Sequence, residues 1–309
     1  MTEPRRVVVT GATGLIGTRL CQILAQRGYH VTVFSRNPAT AVQRVPAAHD
    51  YIAWTAAPQP AWVQALDGAY GVVHLAGASI FGKRWDEAYK TELRTSRIET
   101  TSGLVQAMQG LHHPPTVFIS GSAVGYYGAR DDTLLDETAS SARNDFLSQL
   151  CVEWEAAAQP AADQGIRTVL LRTGIVLDPD EGALAQMKLP FTLFAGGPIL
   201  PGTQWISWIH LADQVGIILH ALEHGQVQGA VNATAPAPQR NRDFMATLGK
   251  VLGSPAWLPV PDFSLRLLLG EFADALVTGQ RVLPRRIHDA GYTFQFPELE
   301  PALRDLLKR

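Results

Sequence analysis

Gly11, Gly14 and Gly17, in Thr10-Gly11-Ala12-Thr13-Gly14-Leu15-Ile16-Gly17, are the first residues whose types and spacing suggest chemistry. Glycine lets a backbone turn tightly, approach a pyrophosphate closely and pack a helix onto a sheet. A helix that opens at the end of such a loop offers unpaired N–H groups and a positive dipole end to phosphate. Val7-Val8-Val9 before the loop and the helix-like Leu15 to Arg27 after it supply the strand–loop–helix context this chemistry needs. Gly11, Thr13, Gly14, Leu15, Ile16 and Gly17 are therefore candidate cofactor contacts. The next strand-like run ends in Phe34-Ser35-Arg36-Asn37. A site for NAD usually carries an acid there, bound to the ribose 2′-hydroxyl. Here Ser35 can donate to a phosphate oxygen and Arg36 can pair bidentately with a 2′-phosphate. The pattern predicts NADP(H).

The elements that must position these residues follow from the apolar runs. Val31 to Phe34, Tyr51 to Ala53, Val72 to Leu75, Val117 to Ile119 and Thr168 to Leu171 read as strands, separated by helical stretches. The longest are residues 85–108 and 146–164. Apolar strands alternating with helices predict a doubly wound parallel α/β sheet of Rossmann type. After residue 177 the texture becomes rich in loops, with Gly196-Gly197-Pro198 and Pro201-Gly202, and from Pro236 onward proline-broken helices follow. The expected organisation is a dinucleotide-binding domain over 1–177, with 205–235 returning to it. Residues 178–204 and 236–309 form a smaller, mostly helical part on the substrate side, serving as a lid over the reactive end.

Composition narrows the partners. In 309 residues, 26 basic side chains balance 28 acidic ones, a net charge of −2. Nucleic-acid and anionic-membrane surfaces usually show a basic excess, so neither partner is expected. Cys21 and Cys151 cannot make a disulfide scaffold, and the nine histidines form no zinc-binding spacing, so no metal is expected. The chain enters a strand-like run at once and has no apolar run long enough to span a bilayer, which predicts a cytoplasmic protein.

The glycine spacing together with His74-Leu75-Ala76-Gly77 resembles the extended short-chain dehydrogenases/reductases, the NAD(P)-dependent epimerase/dehydratase family. Ser120 to Gly128, Arg172 to Leu177, Trp205 to Asp213 and Arg281 to Pro284 resemble an atypical branch labelled "epimerase family protein", sometimes "cell-division inhibitor". The resemblance implies a Rossmann core and places Leu75, Ala76, Gly77, Ser120 and Gly174 beside the cofactor. It also implies a site for a small molecule such as a nucleotide-sugar, and a homodimer formed through the long helices at 85–108 and 144–164.

The same resemblance exposes departures. The superfamily's chemistry uses a Ser or Thr, a Tyr-x-x-x-Lys pair and an Asn. Ser122 matches the first, but Leu147 stands at the tyrosine position, Cys151 at the lysine position and Ser96 at the Asn position, with Glu155 one helical turn further on. Leucine cannot transfer a proton, and a neutral thiol cannot lower a neighbour's pKa as lysine does. Tyr126 and Tyr127 remain as hydroxyl donors, Tyr127 the favoured one. Cys151 reads as a packing residue, and Cys21 and Tyr29 as core.

Other polar residues admit two readings each. Lys83 and Arg84 suit an anionic substrate or a solvated helix start. Arg97 faces the cleft or pairs on a helix surface. Trp205 and Trp208 either wall a substrate pocket or fill the core. Asp213, with His210, is expected to satisfy N–H groups near its own helix start. Two functions follow: an NADP(H)-dependent oxidoreductase or epimerase-like enzyme, or a non-catalytic NADP(H)-binding sensor.

Overall fold

A computed structural model of the chain describes residues 4–308. Seven parallel strands make the main sheet: β1 (Arg6–Thr10), β2 (His30–Ser35), β3 (Asp50–Ala53), β4 (Gly71–His74), β5 (Val117–Ala123), β6 (Arg167–Thr173) and β7 (Gly229–Ala233). Their order is β7-β6-β5-β4-β1-β2-β3. The chain winds outward from β1 to β3, then crosses back to place β4 on the other side of β1. In an open α/β sheet the crevice at such a reversal, beyond the carboxyl ends of the strands, is where ligands bind.

Val7, Val8 and Val9 are all wholly buried, because helices cover both faces of the sheet. On one face α1 (Leu15–Gln26) contributes Leu20, Cys21 and Leu24, and α2 (Pro38–Arg44) contributes Ala41. The other face is covered by α3 (Pro60–Leu66), α4 (Glu87–Gln109) and α5 (Phe146–Asp163), through Trp62, Leu66, Leu104, Met108, Ala158 and Ala161. Asn37, Asp86 and Asp145 cap α2, α4 and α5 by accepting backbone N–H groups. Cys21 and Tyr29 are core residues, as expected.

The stretch 178–204 is more ordered than its glycines and prolines suggest, since α6 spans Gly182–Thr192. The remaining helices are α7 (Leu211–Glu223), α8 (Asn241–Leu252), α9 (Asp262–Leu269), α10 (Phe272–Val277), α11 (Arg285–Asp289) and α12 (Leu299–Leu307). Helix α7 packs Val215, Ile218 and Leu222 under the main sheet on the side of α1. A second core joins Leu177, Leu184, Phe191, Phe244, Leu248, Leu299 and Leu303. It also takes in Ile206, Trp208 and Ala235, from the stretch expected to return to the first domain.

Two-residue and three-residue strands stitch the parts together. Ile175–Leu177 runs parallel to Trp208–His210, Trp205–Ile206 antiparallel to Gln239–Arg240, and Leu134–Leu135 parallel to Arg281–Val282. Asp213 corrects an expectation. His210, not Asp213, caps α7, its Nδ1 accepting from the Ala212 N–H at 3.0 Å. Asp213 is wholly buried and accepts instead from the Tyr292 hydroxyl and the N–H groups of Gln295 and Phe296, at 2.8–2.9 Å. A buried carboxyl group needs such partners, and here they tie the C-terminal segment to α7.

Candidate functional site

β1 ends at Thr10 and α1 begins at Leu15, so the four residues between them make the loop. Gly11 has φ +65°, and a side chain there would put Cβ 2.6 Å from the Leu75 carbonyl. At Gly17 a Cβ would lie 2.3 Å from the Gly11 oxygen, so α1 can sit this close to the loop only with glycine. Helix α1 has no side-chain cap and no acid in its first turn. Its first N–H groups are therefore open to an anion in the cleft.

That cleft has two adjoining lobes sharing Gly11, Gly14 and Leu75. The larger, about 690 Å³, runs past Thr13, Ser35, Arg36, Arg44, Trp54, Ala76, Gly77 and Ser96. The smaller, about 290 Å³, is lined by Leu15, Ile16, Gly17, Ile80, Phe81, Gly174, Ile175, Val176, Gly182 and Ala183. Twelve of the thirteen residues read as cofactor contacts line one lobe or the other. Ser120 does not: it is wholly buried and its hydroxyl donates to the Gly121 carbonyl.

Beneath the loop, β1 and β4 are joined by a buried polar chain. The Thr10 hydroxyl meets His74 Nδ1 at 2.7 Å and also accepts the Ala76 N–H. His74 Nε2 meets the Thr101 hydroxyl at 3.0 Å, and Thr101 accepts the Trp154 indole N–H. Burial, with Arg97 adding repulsion, pushes His74 down to about 3, so its imidazole is neutral at physiological pH. The chain fixes the start of the segment 75–79 that forms one wall of the larger lobe.

The expected catalytic trio lies elsewhere. Ser122 donates to Glu155 at 2.7 Å, and Glu155 is held by Arg172 through two hydrogen bonds of 2.8 Å. Arg172 also donates to the Tyr127 hydroxyl, which donates to Asn232 at 2.7 Å. Tyr127 is wholly buried, and burial pushes its hydroxyl up to about 12. The Arg172 guanidinium lies 3.4 Å from the Tyr126 ring centre. None of Ser122, Tyr126 and Tyr127 lines either lobe. The expected proton donor is instead part of an ion-pair network that joins β5, α5, β6 and β7, in which Glu155 accepts from Ser122 and Arg172 donates to Tyr127.

The positions of the missing Tyr-x-x-x-Lys pair pack against the turn after β5. A Cβ on Gly125 would come within 3.3 Å of Leu147 and 3.8 Å of the Cys151 sulfur. Burial, with Glu155 adding to it, pushes the Cys151 thiol up to about 12. It remains a neutral packing group, as read from the sequence.

The expected substrate residues are also displaced. Trp208 is wholly buried in the second core, its indole N–H bound to the Ala237 carbonyl. Arg97 props the wall of the cleft from behind, donating to the carbonyls of Ala78 and Leu93 and stacking on Trp154. Lys83 is exposed and paired with Glu92 at 3.0 Å, and Arg84 is exposed beside Gly270. Trp205 is half-buried between the guanidinium groups of Arg240 and Arg281.

Three features escaped the sequence reading. Arg44 and Trp54 line the larger lobe. The asparagine cap and Pro38 at the first turn of α2 could have placed Arg44, the last residue of that helix, back over the loop. The third is an aromatic group in which Phe272 meets Phe81 at 5.1 Å and Trp85 at 5.0 Å between ring centres. It brings α10 against the segment that carries Ile80 and Phe81, and no local pattern signals so distant a contact. Among the described residues, no group of His, Cys, Asp and Glu could hold a metal ion, and no helix is long and apolar enough to cross a membrane.

Known proteins share this fold. Residues 260–306 match a domain of unknown function, DUF1731. The Arabidopsis thaliana epimerase family protein SDR39U1 homolog, chloroplastic, is 41% identical over 98% of this chain and 86% of its own. The crystal structure of human epimerase family protein SDR39U1, isoform 2, with NADPH is 37% identical, with a TM-score of 0.88 over 98% of this chain and 99% of that one. The nucleoside-diphosphate sugar epimerase of Corynebacterium glutamicum is 31% identical, with a TM-score of 0.77 over 98% of this chain and 58% of that one. Residues 7–234 match the NAD dependent epimerase/dehydratase family, and the chain belongs to that family.

Proposed function

We propose that the chain is an NADP(H)-dependent oxidoreductase or epimerase-like enzyme that works without a Tyr/Lys proton relay. The observation that carries the cofactor reading is that Ser35 and Arg36, at the end of β2, line the larger lobe, and that the end of β2 carries no acid for a 2′-hydroxyl. The human relative crystallised with NADPH supports it. When bound, the cofactor supplies or accepts a hydride at its nicotinamide. The loop N–H groups at the start of α1 would hold its diphosphate, and Arg36 the 2′-phosphate.

The smaller lobe would take the nicotinamide end. Gly174, Ile175, Val176, Ile80, Phe81, Gly182 and Ala183 line it, so its walls are mainly apolar. No titratable side chain lines this lobe. The proton that accompanies hydride transfer would then come from the substrate's own groups or from solvent. A small-molecule substrate, nucleotide-linked or anionic, would enter beside α6 and the segment around Gly196–Pro198.

The sensor reading also has an observation in its favour: the positions of the proton relay hold Leu147 and Cys151, and Tyr127 is sealed in the core. One measurement tests the cofactor and a second separates the alternatives. Titrating tryptophan fluorescence should show NADPH binding more tightly than NADH, and Arg36→Glu should weaken NADPH by about 1.5–3 kcal/mol, the scale of a charged hydrogen bond. Equal affinities would overturn the cofactor reading. A hydride-transfer assay over nucleotide-sugars and small carbonyl compounds decides the rest: tight NADPH binding with no turnover on any of them favours the sensor.

A further inference from the structure

Arg44 lines the same lobe of the cleft as Ser35 and Arg36. Nη1 donates to the Thr13 carbonyl at 3.2 Å, which anchors the group at the rim of the glycine loop. On the other side, Nη2 lies 3.9 Å from a carboxylate oxygen of Glu181, the residue that precedes α6. That separation is too long for a hydrogen bond. Both side chains are more than half exposed, at 58% and 53%, so this pair contributes little stability by itself.

A guanidinium carries five N–H donors in a planar fork. The Thr13 carbonyl takes one and Glu181 none at hydrogen-bond distance, which leaves donors in a lobe that Arg36 also lines. Two such forks beside a serine hydroxyl suit a phosphate monoester, which is close to doubly charged at neutral pH and has three acceptor oxygens. A ribose hydroxyl would use neither fork well.

We propose that Arg44 is the second arm of a clamp on the 2′-phosphate of NADP(H), and that Glu181 competes with that phosphate for the same guanidinium. Arg44 is then a specificity-determining residue that links the choice of cofactor to the first turn of α6. This rests on the NADP(H) reading above. NAD(H), with a hydroxyl in place of the phosphate, leaves Arg44 to Glu181.

The test is titration of NADPH and NADH, by tryptophan fluorescence, into the unmodified protein, Arg44→Gln, Glu181→Gln and the double variant. Arg44→Gln should weaken NADPH about ten-fold, the scale of one charged hydrogen bond, and leave NADH unchanged. The unchanged NADH affinity serves as the control for folding. Glu181→Gln should strengthen NADPH about two-fold, the size of a weak exposed ion pair, and the double variant should show no such gain. Full NADPH preference in Arg44→Gln, or a Glu181→Gln gain that persists without Arg44, overturns the proposal while the cofactor reading stands. An unmodified protein that binds both cofactors equally overturns the cofactor reading and this proposal together.

Discussion

At the scale of single residues, the decisive pair is Glu155 with Arg172, 8% and 4% exposed. Two buried charges are tolerable only as partners, and both hydrogen bonds between them are short. Removing one strands the other, so Glu155→Ala should cost about 3–5 kcal/mol of stability in urea denaturation. Tyr127→Phe leaves the Asn232 carbonyl oxygen without its 2.7 Å donor and should cost about 1–3 kcal/mol while cofactor affinity holds. A Tyr127→Phe protein of unchanged stability that has lost activity would restore the tyrosine to the reaction. Ser122, Glu155 and Tyr127 were all legible as polar residues of interest. What the linear order hid was Arg172, whose charge turns them toward the core instead of the cleft.

At the scale of elements, the glycine loop was readable because every constraint on it is local. Gly11, Gly14 and Gly17 sit within one strand–loop–helix unit, and the same short unit supplies the anion-facing N–H groups. Gly17→Ala should therefore push α1 off the Gly11 carbonyl, which its Cβ would approach to 2.3 Å. The expected outcome is a lower melting temperature and weaker NADPH binding together; loss of neither would mean the helix can shift without disturbing the loop. Six of the seven strands of the main sheet were legible for a similar reason, as short apolar runs. Elements held by distant partners were not. Leu134–Leu135 is a strand only because Arg281–Val282 lies beside it, and α6 keeps its helix between glycine- and proline-rich flanks by packing Leu184 and Phe191 into the second core. Tertiary burial overrides local composition at such places.

At the scale of the whole molecule, pH acts on the fold through three histidines, one in β4 and two at α7. Burial lowers His74 to about 3 and also lowers His210, which caps α7, and His220, which bonds the Ala290 carbonyl across to the C-terminal segment. In the unfolded chain each would protonate near 6.5. Between pH 3 and 6.5 the unfolded state thus binds the proton that folded His74 does not, so stability rises with pH in that window and falls on acidification. Glu137 acts in the opposite sense, since burial raises its carboxyl and the cost of charging it is relieved as pH falls. His74 can be isolated from the others by comparing slopes. Unfolding free energy measured by urea at pH 7 and pH 5 should fall by about 2 kcal/mol more in the unmodified protein than in His74→Gln, from one proton taken up only on unfolding. Glutamine carries no titrating group, so its absolute stability is irrelevant and only the difference in slope matters. Identical slopes would mean that folded His74 titrates near its ordinary value, and that the Thr10–His74–Thr101 chain beneath the cofactor cleft opens to water.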